Sequence, residues 1–253
     1  MTASPLLEVG PLDRAALAPL FAGLEWPRSI IDGALEGHVG TAQVAPGAPP
    51  AAAVLHVQVF SVVGGDPDTP AAAELVDHLP TNQYIIAGGA WYALLRQGRG
   101  HGPEAWYWRP YDSARLEADH LRHLAASAHA AYEIVPLDAA LLANLWSDLE
   151  VGLPQHGFRS DADLLEDGFG YCAVRDGQVL AAALTFSRSA GAIEVQTNTH
   201  RRHQRRGLAT ATCAALVLRT LDEGLAPHWS AANHRSEGLA EKLGFLPEPR
   251  REV

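Results

Sequence analysis

Apolar and polar positions alternate with two different periods along this chain, and the breaks between them mark its elements. Pro11 to Leu24 has helical spacing, with Leu12, Ala16, Leu20 and Leu24 on one face. A second short helix is predicted from Pro27 to Leu35, opened by proline at its first turn. Val39–Ala45 and Ala52–Val63 read as strands on either side of a loop set by Pro46, Gly47, Pro49 and Pro50. His56, Gln58 and Ser61 interrupt the second run and leave one of its faces polar. Ala71–His78 reads as a helix and Gln83–Ala87 as a buried strand. Gly88-Gly89 then leads into a helix, Ala90–Gln97, before a strand over Ala105–Tyr111 that carries Trp106, Tyr107 and Trp108.

Leu116–Ala131, rich in alanine and histidine at helical spacing, reads as the connection between two halves. The boundary is expected there, giving an N-terminal α/β subdomain over residues 1–128 and a second domain over 129–253. After it, Tyr132–Leu137 is a short strand, and Asp138 is a candidate N-cap for a helix over Ala139–Glu150. Gly170–Arg175 and Gln178–Ser187 are strands joined by Asp176-Gly177, a strong hairpin signal. Ala192–Thr199 is a further strand, Gly207–Leu221 an amphipathic helix and His228–Ala232 a short strand. Ser236–Leu243 is a helix that Gly244 is suited to end, because glycine accepts positive φ. The second half therefore runs β-α-β-β-β-α-β-α. A hairpin-rich start followed by a βαβ crossover means a mixed sheet, so the fold class is α/β of the mixed α+β kind.

Composition narrows the function. Over 253 residues, 47% are hydrophobic and 19% charged, the balance of a globular chain and not of a disordered one. No apolar run approaches the roughly 18 residues of a membrane helix. The start has neither the basic nor the apolar region of a signal peptide. Cys172 and Cys213 are too few for a disulfide framework, and a reducing, cytoplasmic setting is expected. A net charge of −10 argues against nucleic-acid and membrane partners. Against that acidic background Arg201, Arg202, Arg205 and Arg206 crowd together with His200 and His203 among them. Taken alone, such a cluster is a solvated loop.

Its setting changes that reading. A strand ends at Thr199, the basic loop follows, and a helix opens at Gly207. A helix N-terminus offers unpaired N–H groups and a positive dipole end, and glycine lets a ligand approach the backbone. Together they make a cradle for a small anion, with Arg205 and Arg206 at its rim. The loop matches neither the mononucleotide nor the dinucleotide glycine pattern.

Gln204-Arg-Arg-Gly207-Leu-Ala209 resembles the Q/R-x-x-G-x-G/A signature of the GNAT superfamily of acetyl-CoA-dependent N-acetyltransferases. Asn233-His-Arg-Ser236-Glu-Gly-Leu-Ala240-Glu-Lys-Leu-Gly-Phe245 resembles the family's later N-x-x-A/S-x-x-L-Y-x-K-L-G-F segment. The resemblance spans Tyr132–Phe245. It implies that Gln204, Arg205, Arg206, Gly207, Leu208, Ala209 and Thr210 line the pyrophosphate of coenzyme A, mainly through backbone N–H groups. Thr197 and Thr199 would pair with the pantetheine arm, and Asn233 and Ser236 would flank it near the thioester. It also implies a sheet that opens between the Ala192–Thr199 and His228–Ala232 strands. Glu194 matches the position from which an acidic side chain often serves as base, and strand alternation groups it with Gln196 and Asn198. Glu194 equally fits a structural charge at a sheet edge.

One position departs from the family pattern. Its tyrosine in the last helix is replaced by Ala240, so His228, His234, Ser236 or a water would have to protonate the leaving thiolate, or the thiolate leaves unassisted. A chain that binds acyl-CoA without turnover is the alternative. The first half carries no second signature, but Gln83–Gln97 has the strand, glycines and helix of a degenerate GNAT-like repeat. His120, His123 and His129 share a helix without completing a metal set, the three aromatics at 106–108 read as packing residues, and both cysteines as core. The expected acceptor is a small-molecule or peptide amine, with the acidic chain favouring a cation. Oligomeric state is not legible.

Overall fold

A computed structural model describes residues 6–98, 106–128, 130–147 and 156–252 of the chain. His129, Ala105 and residues 148–150, on which expectations were placed above, lie outside the described residues. Two compact units divide the chain, Met1–Trp108 with Arg251–Val253, and Arg109–Arg250.

In the first unit β1 (Leu7–Val9) is followed by a 3-10 helix (Pro11–Phe21), α1 (Arg28–Leu35), β2 (Thr41–Val44), β3 (Ala52–Val57) and β4 (Phe60–Gly65). Then come α2 (Pro70–His78), β5 (Tyr84–Ile86) and α3 (Tyr92–Gly98). The sheet order is β1-β2-β3-β4-β5, antiparallel until the α2 crossover lays β5 parallel to β4. β6 (Tyr107–Asp112) begins here, and Arg251–Glu252 pairs with its Trp108 and Tyr107. Trp108 packs edge-on against Phe60 with centroids 5.3 Å apart, as expected of a packing aromatic, while Trp106 stays half-exposed against Tyr84.

The second unit holds the rest of β6, then α4 (Ala118–Ala125), β7 (Glu133–Pro136), α5 (Ala139–Ser147), α6 (Asp161–Asp167), β8 (Gly170–Arg175) and β9 (Gln178–Arg188). It continues with β10 (Ala192–Thr199), α7 (Leu208–Asp222), β11 (Ala226–Ala231), α8 (His234–Leu243) and β12 (Leu246–Pro247). Strands lie in the order β12-β6-β11-β10-β9-β8-β7, with β10 and β11 parallel across the α7 crossover. From β7 to α8 this unit repeats β1 to α3 of the first: strand, two helical segments, three strands, helix, parallel strand, helix. The chain is a tandem repeat.

The core of the second unit forms where α4, α7 and α8 cover Ile193, Trp229 and Ala231 with Leu121, Leu216, Val217, Leu243 and Phe245. Each such fully buried aliphatic side chain contributes about 1.5–3 kcal/mol. Buried threonines on α7 keep their hydroxyls satisfied by back-bonding, Thr212 to the Leu208 carbonyl (3.1 Å) and Thr220 to that of Leu216 (2.8 Å). Cys172 and Cys213 are buried, and desolvation pushes both thiols up to about 12, which makes them core residues.

Several boundaries differ from the sequence reading. α4 belongs with the second unit, because Leu121 and Leu124 are buried in its core, so the division falls at Trp108 and not near 128. His120 on α4 meets the Lys242 carbonyl at 2.9 Å, a contact to the end of α8. The run Ala52–Val63 is two strands, turned at Gln58 with φ +54°. The first helix winds with three residues per turn. It therefore buries Arg14, Leu17 and Phe21 and leaves Leu12 at 96% exposure. Arg14 is held by the carbonyls of Val9, Ala34, Val39 and Gly40. α6, absent from the expected order, is capped by the Ser160 hydroxyl on Asp163 N–H. Asp138 caps α5 through Leu141 N–H (2.8 Å), and Asp176 and Gly177 turn the β8–β9 hairpin with positive φ, as expected.

Candidate active site

β10 and β11 pair only over Ala192–Ala226, Ile193–Pro227 and Glu194–His228, then part. On the other edge of β10 the register with β9 shifts between Glu194 and Val195, a bulge with its extra residue on β9. The carbonyl of Phe186, the residue left over, accepts from Gly157 N–H at 2.6 Å. Beyond Glu194 no described strand pairs with the β11 edge of β10. His200 N–H donates to the Leu180 carbonyl, so by antiparallel alternation the residues at 196 and 198 bond to β9. The backbone groups of Thr197 and Thr199 therefore point to the opening. The Thr197 hydroxyl is turned the other way, donating to the Ala182 carbonyl (3.1 Å), and Gln196 bonds to Asn198 (2.9 Å).

The loop after β10 ends where α7 begins. Gly207 is the N-cap with φ +79°, and no side chain caps the helix. Arg205, two residues earlier, is also left-handed at φ +61°. Left-handed residues leading into a helix are the conformation from which anion-binding nests are built. A Cβ on Gly207 would meet no atom of the described residues within 4 Å. The uncapped N–H groups fit a linear anionic ligand continuing from the parted strands.

Each expected residue can now be placed. Leu208 is buried and anchors the helix start, while Arg205 and Gln204 are exposed. Gln204 accepts from Arg235 at 3.4 Å, and Thr210 from Lys242 at 3.4 Å, which brings two more cations to the cradle. Arg206 donates to the Tyr132 hydroxyl (2.9 Å), a partner sequence reasoning did not find. That hydrogen bond holds the Tyr132 phenol below its usual range. Burial, then the charges of Arg206, His200, Arg175 and Arg202, keeps His203 below the ordinary histidine value, so a neutral ring lies among the arginines.

Asn233 and Ser236 each have a partner within the protein. The Asn233 side chain caps α8, accepting from Arg235 N–H (3.1 Å) and Ser236 N–H (3.2 Å). The Ser236 hydroxyl accepts from the Trp229 indole at 3.1 Å. Trp229 lies on the α7–α8 face of the sheet, and Glu194, next to core residue Ile193, on the opposite face. Glu194 and Ser236 are therefore not neighbours on one face. Glu194 is 5% exposed, and its register partner on β11 is His228. His234 is exposed and bonded to Glu237 (2.8 Å). Ala240, at the family's tyrosine position, is fully buried.

Glu237 ties α8 to its surroundings, meeting His234, Arg250 (2.8 Å) and Arg109 (3.5 Å). Burial pushes its carboxyl up, but the hydrogen bonds from His234 and Arg250 and the charges of Arg250 and Arg109 outweigh burial and hold it low. A carboxyl depressed in the folded state adds stability above its unfolded value, near 4.3, and loses it as pH falls through the folded value. Glu237→Gln is expected to be less stable at pH 7 and to lose less stability on acidification, as read from thermal melts across that range.

Among the described residues no group of three or more His, Cys, Asp and Glu is gathered as metal ligands, and no helix is long and apolar enough to cross a membrane. A family model described as GNAT acetyltransferase matches residues 18–249. No curated protein matches the chain. A GCN5-related N-acetyltransferase-like protein from Streptococcus suis 89/1591 is 26% identical, with a TM-score of 0.79 over 96% of this chain and 98% of the other. A tandem GNAT protein from the clavulanic acid biosynthesis pathway superposes at 16% identity and a TM-score of 0.54, covering 97% and 96% of the two chains. A GCN5-related N-acetyltransferase from Kribbella flavida does so at 14% and 0.53, covering 79% and 84%. With parted strands and an uncapped helix at the second signature-bearing repeat, and a family match reaching across both repeats, the chain belongs to the GNAT acetyltransferase family.

Proposed function

We propose that this protein transfers an acetyl group from acetyl-CoA to a primary amine, directly, in a ternary complex. The observation that carries this reading is the continuity of the open β10 edge with the uncapped N-terminus of α7 at Gly207. In this reading backbone N–H groups from Gln204 to Thr210 hold the pyrophosphate, and Thr197 and Thr199 hold the pantetheine arm through their main chain. Glu194 takes the proton that an alkyl ammonium, with a pKa of about 10.4, must lose before it attacks. Asn233 serves by capping α8, which keeps that helix against the site. The net charge of −10 favours a cationic acceptor at encounter. The buried Ala240 favours a second reading, an acyl-CoA-binding protein without turnover.

The first repeat lacks the features of the cradle. Its corresponding helix, α2, is capped by the Thr69 hydroxyl on Ala72 N–H and opens with Pro70. Asp66 and Asp68 stand in the loop before it, where an anion would be repelled. The Trp91 indole donates to the Gly65 carbonyl (3.2 Å), occupying the end of β4. Calorimetry is therefore expected to give one acetyl-CoA per chain, and two would restore a site to the first repeat. Thiol release on adding spermidine, an aminoglycoside or a peptide amino terminus then separates the readings. Release with any of them supports transfer, and binding without release across the panel supports the second reading. No binding at millimolar acetyl-CoA overturns both.

A further inference from the structure

Three neighbouring strands present one row of polar side chains. Ser187 on β9 is in register with Glu194 on β10, and Glu194 with His228 on β11. Residues in register share a face. Ile193, Trp229 and Ala231, at alternating positions, belong to the core beneath α7 and α8, so the row lies on the other face. It stands at the last pair before β10 and β11 separate. The Ser187 hydroxyl is fully buried with no hydrogen-bond partner among the described residues. Orphaned buried hydroxyls are rare in folded proteins and call for an explanation at the place they occur.

The other candidate proton donors lie off this row. Ala240 has none to give. The Ser236 hydroxyl accepts from the Trp229 indole on the α7–α8 face of the sheet, away from Glu194, and His234 is held by Glu237 at the surface. Tyr111 donates to Glu241 (3.1 Å), and burial, then that hydrogen bond, pushes its phenol up to about 12. His228, half-buried and beside Glu194, is the remaining group.

We propose that His228 donates the proton to the leaving thiolate in place of the missing tyrosine, so that Glu194 and His228 form a base–acid pair set by one register position. This rests on the functional reading above. The acceptor ammonium gives one proton to Glu194, which releases it to solvent. The free amine attacks the thioester carbon, a C–N bond forms, and the C–S bond breaks with its electron pair going to sulfur. The His228 imidazolium delivers its proton to that sulfur. The second nitrogen proton passes through Glu194 back to His228. One amide, one thiol and one proton in solution result.

The test needs no acceptor. Free coenzyme A is bound to the whole protein, and ionisation of its thiol is followed by the ultraviolet absorbance of the thiolate across pH. The charged groups flanking His228 are Glu194 on β10 and Asp112, one position past the Tyr111–Trp229 pair on β6. Both are retained in every variant. In His228→Gln the bound thiol is expected to ionise about one pH unit or more above its value in the unaltered protein, because the imidazole that would exchange a proton with the sulfur is gone. The affinity for coenzyme A is expected to stay within about threefold. His228→Asn serves if the glutamine variant does not fold. Tyr111→Phe is expected to leave the thiol where it was. An unmoved thiol in the His228 variants, with coenzyme A still bound, overturns the pairing alone, as does a shift seen only in Tyr111→Phe. Absence of coenzyme A binding to the unaltered protein overturns the functional reading and the pairing with it.

Discussion

Gly207→Val is expected to weaken coenzyme A binding by at least about 100-fold, close to 2.7 kcal/mol, while leaving the protein folded. Gly207 has φ +79°, a region that a β-branched residue enters only with strain. That strain costs about 1–3 kcal/mol, against about 5–15 kcal/mol of total stability for a typical domain. A Cβ there touches no protein atom within 4 Å, so the core is not disturbed. Relief of that strain would turn the N–H donors at the start of α7 away from the proposed cradle. Calorimetry with coenzyme A, beside a thermal melt, checks both halves of the expectation. Gly207→Ala, smaller but subject to the same φ, is expected to fall between. Undiminished affinity in the valine variant would remove the cradle from this loop.

Glu194→Gln is the second large effect. With any amine that supports turnover, kcat is expected to fall by about 10²–10⁴ with the affinity for acetyl-CoA unchanged. Glutamine keeps the size and the hydrogen-bonding reach of the side chain but takes no proton at neutral pH. Because Glu194 is 5% exposed at the last paired position of β10, the substitution also removes a buried charge. Stability is therefore expected to hold or rise if the carboxylate is kept for chemistry, and to drop if it is a structural charge whose partners are left behind. Steady-state rates and melts on the same sample read the two apart. Unchanged kcat would end the base assignment.

Local chemistry in the sequence accounts for much of this architecture. Gly244 announces its helix end because a left-handed C-cap favours glycine, and it is left-handed in the structure, as is Gly207 at the start of α7. Asp176-Gly177 announces its hairpin for the same reason. β10 was legible to the residue from its alternation, and α7 to within one residue from its apolar stripe. The basic loop between them lies where the sequence put it, between that strand and that helix.

Other features were invisible because nothing local specifies them. Gln58 turns the β3–β4 hairpin without a glycine, held by the pairing of His56 with Ser61 and Val57 with Phe60. Arg14 looks like a surface residue until carbonyls from distant segments converge on it. Asn233 reads as a ligand residue from its motif, yet its side chain is spent on the first turn of α8. Motif, cap and turn chemistry depend on neighbours within a few residues, so the family and most of the elements of the second unit were legible in the sequence alone. The row Ser187–Glu194–His228, the bulge between β9 and β10, the parting of β10 from β11, and the face assigned to Ser236 depend on strand register. Register is decided by which side chains pack beneath α7 and α8, contacts between residues far apart in the chain, and only the folded protein expresses it.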